Sequence, residues 1–233
     1  MRCVWEHNGN DTLLYAADYI GAYTRGESLE IAIAKMQTEL DSYSIWCNQS
    51  AKSYAGIEIV QEKCSNLQIA DADSDILFDT ETAPLTQEEY EELKALVLKS
   101  AADFYTLYSS IPNKNESSLP KRKTFYGNVP RTAQEMYEHT KNVNAYYFGE
   151  IGIDVDNAGT IWECRNRGFA LLEQSEGYLD NPTFEGSYGE LWSLRKMMRR
   201  FLWHDRIHAK AMWRMSIKTF GLERAENSYK FTL

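Results

Sequence analysis

The sequence predicts an α+β chain of two domains, a small N-terminal α/β unit of order ββαβ followed by a four-helix bundle. Three observations carry this. Two short strand-like stretches flank a turn rich in Asn and Gly at the start of the chain. A polar, acidic stretch at 71–84 interrupts it. Beyond that stretch the S/T-x-x-E signature of a helix start recurs four times, each time followed by helical apolar periodicity. The predicted organisation is residues 1–70 as the α/β domain, 71–84 as a linker, 85–220 as the bundle and 221–233 as a C-terminal tail.

In the first domain, Arg2 to Glu6 and Leu13 to Tyr19 read as strands joined by His7-Asn8-Gly9-Asn10-Asp11, whose residues tolerate positive φ. Gly21 to Gly26 reads as a loop. Ser28 can cap a helix running to about Tyr43, because Leu29, Ala32, Ile33, Met36 and Leu40 repeat at three and four. Gly56 to Glu62 is the third strand. Asp71-Ala72-Asp73-Ser74-Asp75 clusters carboxylates, but it lacks the glycine and terminal glutamate of a helix-loop-helix calcium loop.

The four helix starts are Thr86 with Glu89, Thr132 with Glu135, Thr160 with Glu163, and Ser187 with Glu190. In each, a hydroxyl and a carboxylate can satisfy one another's orphan backbone amides. The first helix carries Tyr90, Leu93, Val97, Phe104, Leu107 and Ile111. The second carries Met136, His139, Val143 and Tyr146 or Tyr147, and the third Ile161, Cys164, Leu171 and Leu172. The longest carries Trp192, Met197, Phe201, His204, His208, Met212 and Met215. The connection from Pro112 to Val129 is long for a bundle, so it is a candidate cover for an end where a site opens.

Composition excludes several classes. The chain has 233 residues with a net charge of −9, and 43% are apolar, enough for real cores. No apolar run approaches the roughly 20 residues of a membrane span, and the first residues lack a secretory apolar stretch, so a cytoplasmic protein is expected. Residues 1–83 hold 14 acidic and 5 basic side chains, a balance unsuited to binding a phosphate backbone, so no nucleic-acid partner is expected, and without a span no membrane partner is expected. Eight bases between 195 and 218 face only Asp205. They read as a solvated helix face offset by acidic neighbours, or as a basic rim drawing an anionic substrate. Four cysteines without C-x-x-C spacing suit free thiols. No G-x-S-x-G, Walker-type loop, G-x-G-x-x-G or H-E-x-x-H occurs.

The chemistry is carried by histidines. His204 and His208 stand at i, i+4, on one helix face about 6 Å apart along the axis. His139 falls on the apolar stripe of another predicted helix. A lone buried histidine is ordinarily a hydrogen-bonded core residue. Three converging in one interior would repel when protonated, and when neutral each offers a lone pair that one cation satisfies. Glu138 and Asp205, each adjacent to a histidine, are candidate acceptors for a ring N–H. Arg199 or Arg206 could steer a substrate carboxylate. His7 is expected to be exposed in its turn.

With one histidine on the second helix and an H-x-x-x-H pair on the last, the bundle resembles the DinB/YfiT-like metalloenzyme family over about residues 84–220. Phe125-Tyr126-Gly127-Asn128-Val129-Pro130-Arg131-Thr132-Ala133 and Trp203-His204-Asp205-Arg206-Ile207-His208 look like Firmicute members. The resemblance implies His139, His204 and His208 as ligands of a divalent ion, zinc or nickel, a homodimer, and a small-molecule substrate. It also implies thiol-dependent transfer or isomerisation with a low-molecular-weight thiol. The alternative is a non-enzymatic, stress-related metal-binding or protein-interaction module. The stretch from Leu13 through Gly21-Ala22-Tyr23-Thr24-Arg25-Gly26-Glu27-Ser28-Leu29-Glu30-Ile31-Ala32 resembles HicB-like domains. The DNA-binding segment that usually accompanies that domain is not visible, so antitoxin activity is not expected.

Overall fold

The computed structural model describes residues 1–49, 54 and 56–232, so residues 50–53 and 55 of the first domain and the last residue of the tail lie outside the described residues. The fold is α+β, with five α-helices and a small mixed sheet among the described residues. It divides into two units, Met1–Asp79 with Tyr229–Leu233, and Thr80–Ser228.

In the first unit, β1 (Arg2–His7), β2 (Thr12–Ala16), β3 (Tyr23–Gly26) and β4 (Glu58–Cys64) form a sheet of order β3-β2-β1-β4. β2 runs antiparallel to β1 and β3, whereas β4 is parallel to β1, a pairing that needs a long crossover. Helix α1 (Leu29–Trp46) lies in that crossover and packs on β2 and β3. The turn after β1 closes as its residues dictate: Asn8 Oδ1 accepts the amides of Asn10 at 3.0 Å and Asp11 at 2.9 Å, and Gly9 takes φ +86°. Every residue of the inner strand β2 is buried, whereas β4, at the edge, alternates exposed and half-buried positions.

Two details depart from the sequence reading. The stretch predicted as the loop Gly21–Gly26 contains β3, an edge strand too short for a visible period. Its Thr24 is tied to α1 by a 2.8 Å hydrogen bond to the Ala32 carbonyl. His7 is not simply exposed: its ring stacks on Trp5 at 4.1 Å and its Nε2 lies 3.1 Å from Glu62 Oε1 across the β1–β4 pair. The acidic stretch also packs. Ser74 Oγ accepts from the Tyr15 hydroxyl and binds the buried Glu6 carboxylate, and Phe78 meets Tyr15 edge-on at 5.4 Å. Tyr229 stacks on Trp46 at 5.1 Å, and Ser42 donates to the Lys230 carbonyl, which attaches the end of the chain to the same unit.

The second unit contains α2 (Gln87–Ser110), α3 (Ala133–Gly149), α4 (Ile161–Leu172) and α5 (Leu194–Phe220). Three of the four predicted starts are complete capping boxes, at Thr86, Thr132 and Thr160. The fourth is not. Ser187–Gly189 is a single 3₁₀ turn with Tyr188 at φ 62°, set between the short strands β7 (Phe184–Glu185) and β8 (Leu191–Trp192). Ser193 caps α5 instead, accepting from the Lys196 amide at 3.1 Å, while Glu190 reaches forward to the Lys196 ammonium at 2.9 Å. On α4 the buried face runs through Cys164, Gly168, Phe169 and Leu172, and Leu171 points outward, 40% exposed.

The basic stretch of α5 is a solvated face only in part: Arg214 and Lys218 are exposed and Arg195, Arg200 and Lys210 half-buried. Lys196, Arg199 and Arg206 are buried. Arg199 forks onto Glu81, and Arg195, at the helix start, meets Glu89 at 3.0 Å. Thus acidic neighbours offset Lys196 and Arg199 inside the unit, whereas the Arg195–Glu89 pair lies at its surface. Among the described residues, no helix is long and apolar enough to cross a membrane.

Candidate metal centre

His139 lies in the second turn of α3, whose start is fixed by reciprocal bonds: Thr132 Oγ1 accepts the Glu135 amide at 3.1 Å, and Glu135 Oε2 accepts the Thr132 amide at 3.0 Å. Helix α5 packs along α3 and carries His204 and His208 one turn apart toward it. The rotation of α5 is pinned from its other side. Asp205 accepts two bonds from Arg165 of α4, at 2.6 and 3.0 Å, and one from Ser100 of α2 at 2.6 Å. Because neighbouring helical residues point about 100° apart, holding Asp205 toward α2 and α4 leaves His204 facing α3.

The sequence-predicted triad therefore meets. One ring nitrogen from each of His139, His204 and His208 lies within 4.8 Å of the other two, so the three could hold a metal ion. Ring centroids are 5.1 Å apart for His139 and His204, 4.6 Å for His139 and His208, and 4.5 Å for His204 and His208. Nε2 of His204 is 3.2 Å from Nε2 of His139. Two imidazole nitrogens bound at about 2.0–2.1 Å to one tetrahedral zinc would sit about 3.3 Å apart, so this pair is already near that spacing.

The electrostatics suit a cation. Burial lowers the pKa of His139, and burial followed by the neighbouring His139 pushes His208 down to about 3. For His204 burial is again the first cause, followed by His208, His139 and the guanidinium groups of Arg200 and Arg165, which together hold it well below the usual imidazole value. All three rings are then neutral near pH 7 and keep the lone pairs that ligation uses. The buried Nδ1 of His204, the ring nitrogen turned away from His139, has no hydrogen-bond partner.

The predicted supporting residues lie elsewhere. Glu138 bonds Gln134 and Lys141 on its own helix, and Asp205 is taken by Arg165 and Ser100, so neither is the ring N–H acceptor expected from adjacency. Arg199 is committed to Glu81, and Arg206 is 1% exposed; neither is placed as a substrate guide. Sequence reasoning missed the residues that do border the triad. Tyr147 meets the His204 ring edge-on at 6.1 Å, and the Arg200 guanidinium lies over Trp203 at 4.9 Å, Trp192 at 5.5 Å and Tyr147 at 5.6 Å. Burial raises the Tyr147 hydroxyl pKa, and the charge and hydrogen bond of Arg200 oppose that shift. The signal was present: Arg200 precedes His204 by four, and Tyr147 follows His139 by eight, so each continues a histidine's helix face.

The four cysteines are free thiols, with Cys3 and Cys164 buried, and none joins the group. Burial pushes the Cys3 thiol up to about 12. No family model, no curated protein and no solved structure matches the chain.

Proposed function

We propose that the second unit is a DinB/YfiT-like metalloenzyme that uses a divalent ion, zinc or nickel, held by His139, His204 and His208. The observation that carries this reading is the composition of the ligand group. Among the described residues three neutral imidazoles converge and no Cys, Asp or Glu joins them as a fourth protein ligand. Structural zinc sites close their shell with four protein ligands, whereas catalytic sites use three and leave a position for water or substrate. All three histidines are half-buried rather than sealed.

Bound there, the ion would act as a Lewis acid that lowers the pKa of a coordinated thiol or water and so makes it a nucleophile at neutral pH. His139, His204 and His208 hold the ion and stay unprotonated. Tyr147 and Arg200 border the His204 side, where the guanidinium supplies positive charge for an anionic group. The reaction class we favour is thiol-dependent transfer or isomerisation on a small molecule, in a cytoplasmic homodimer. The first unit, with its mixed sheet and covering helix, is compatible with a HicB-like domain.

The test is a conjugation screen of the zinc- and nickel-loaded protein with bacillithiol, glutathione and cysteine against a panel of electrophiles. Turnover that disappears in His204→Ala/His208→Ala supports the reading. Silence across the screen in a fully loaded protein would leave a metal-binding module without this chemistry.

A further inference from the structure

The connection between α2 and α3 holds a feature the histidines do not use. From Ser117 to Gln134 there is no acidic residue, whereas Lys121, Arg122, Lys123 and Arg131 are basic, in a chain with net charge −9. The strands β5 (Lys123–Thr124) and β6 (Gly127–Asn128) pair Lys123 with Asn128 and Thr124 with Gly127, so Phe125 and Tyr126 are the whole turn of a hairpin. Two-residue turns are normally built from Asn, Asp and Gly, which reach positive φ at little cost. Here only the following Gly127 does so, at φ +112°.

The two aromatic rings do not make the turn, and they are not buried by it. Phe125 is 61% exposed and Tyr126 49%, and they meet only edge to face, with centroids 4.9 Å apart. Lys121, Arg122 and Lys123 are exposed beside them. Isolated exposed apolar residues are ordinary, but two adjacent exposed aromatics at a hairpin turn, beside three consecutive cations, form a surface with a specific chemistry.

We propose that this hairpin is an interfacial anchor that docks the protein on an anionic phospholipid bilayer. Phe125 and Tyr126 enter the headgroup layer, where aromatic side chains are favoured, and Lys121, Arg122 and Lys123 lie against anionic headgroups. Such an anchor lies on a membrane without crossing it, so it needs no spanning helix. It therefore revises the expectation of no membrane partner, which was drawn from the lack of a span. Single-stranded nucleic acid shares the charge preference, but it is read by rings that offer faces to successive bases along a groove. Rings perpendicular to each other, at 87° on a hairpin tip, do not form that platform.

The test is flotation of the full chain with phosphatidylcholine vesicles, with and without phosphatidylglycerol. Three proteins are compared: wild type, Phe125→Ser/Tyr126→Ser, and Lys121→Gln/Arg122→Gln/Lys123→Gln, each checked for unchanged helical circular dichroism. The expected result is binding only to phosphatidylglycerol vesicles, weakened about tenfold or more in both variants and by raised salt. The proposal is overturned by absence of binding to anionic vesicles, or by equal binding of the variants. It is equally overturned if a labelled single-stranded oligonucleotide binds through Phe125 and Tyr126 while vesicles do not.

Discussion

Arg165 on α4 and Asp205 on α5 form a two-pronged ion pair with both side chains fully buried, and Asp205 directly follows the histidine that α5 turns toward α3. The Arg165 guanidinium also lies over the Phe201 ring at 4.3 Å. A pair this deep gains little net stability over apolar packing, but either charge left alone is costly. Its consequence here is geometric: it sets the rotation of α5 and hence where His204 and His208 point.

Breaking that pair is therefore expected to be severe. Asp205→Ala leaves a buried guanidinium uncompensated and should cost about 3–5 kcal/mol in urea unfolding. Arg165→Met/Asp205→Leu, which removes both charges, should recover most of the loss. Full stability of the single variant would show that α5 does not depend on this contact.

The approach of α3 to α4 depends on a missing side chain. A Cβ at Gly168 would come within 2.2 Å of the Phe148 ring, so Gly168→Ala should destabilise by about 1–3 kcal/mol through overpacking. Gly149→Ala is the control, since its Cβ would meet nothing within 4 Å; it should be neutral or slightly stabilising. Thermal unfolding of the two variants decides this, and equal effects would contradict the packing argument.

The capping boxes at Thr132 and Thr160 are expected to contribute about 1 kcal/mol each, read as the loss on substitution by alanine. Ser187→Ala should cost no cap, because α5 is capped by Ser193; Ser193→Ala should. A larger loss at Ser187 than at Ser193 would restore the start that the sequence suggested.

Lys196 gives a pH signature. Burial, partly opposed by Glu190, lowers its folded pKa to about 8, so the unfolded chain binds more protons above that value. Stability contributed through this group therefore rises between about pH 8 and pH 10, and its full cost is present below pH 8. The stability of wild type minus that of Lys196→Met should increase across this window. A flat difference would mean that the lysine keeps an ordinary pKa in its site.

Much of the second unit was legible because helix signals are local. Thr86, Thr132 and Thr160 each announce a start within four residues, and the i, i+4 histidines define a face without knowledge of the partner helix. What misled was a signal of the same kind: Ser187 and Glu190 have the right spacing, but Glu190 is claimed by Lys196, a contact that spacing cannot reveal. Strand β3 was hidden because four residues carry too little periodicity to separate an edge strand from a glycine-flanked loop. For the site, the triad could be read from two helix faces. The commitments of Asp205 and Arg199 could not, since each depends on which charge lies across an interface, as Arg165 does for Asp205; Glu138 is taken by Gln134 and Lys141 of its own helix, four and three residues away.

The most direct measurement is the metal content of the purified protein, by inductively coupled plasma mass spectrometry after equilibration with zinc or nickel and removal of excess. One equivalent per chain is expected for wild type. His204→Ala/His208→Ala should retain almost none while keeping its helical circular dichroism, and His139→Ala should bind far more weakly than wild type. Uptake that is absent in wild type, or undiminished when these imidazoles are removed, would contradict the account.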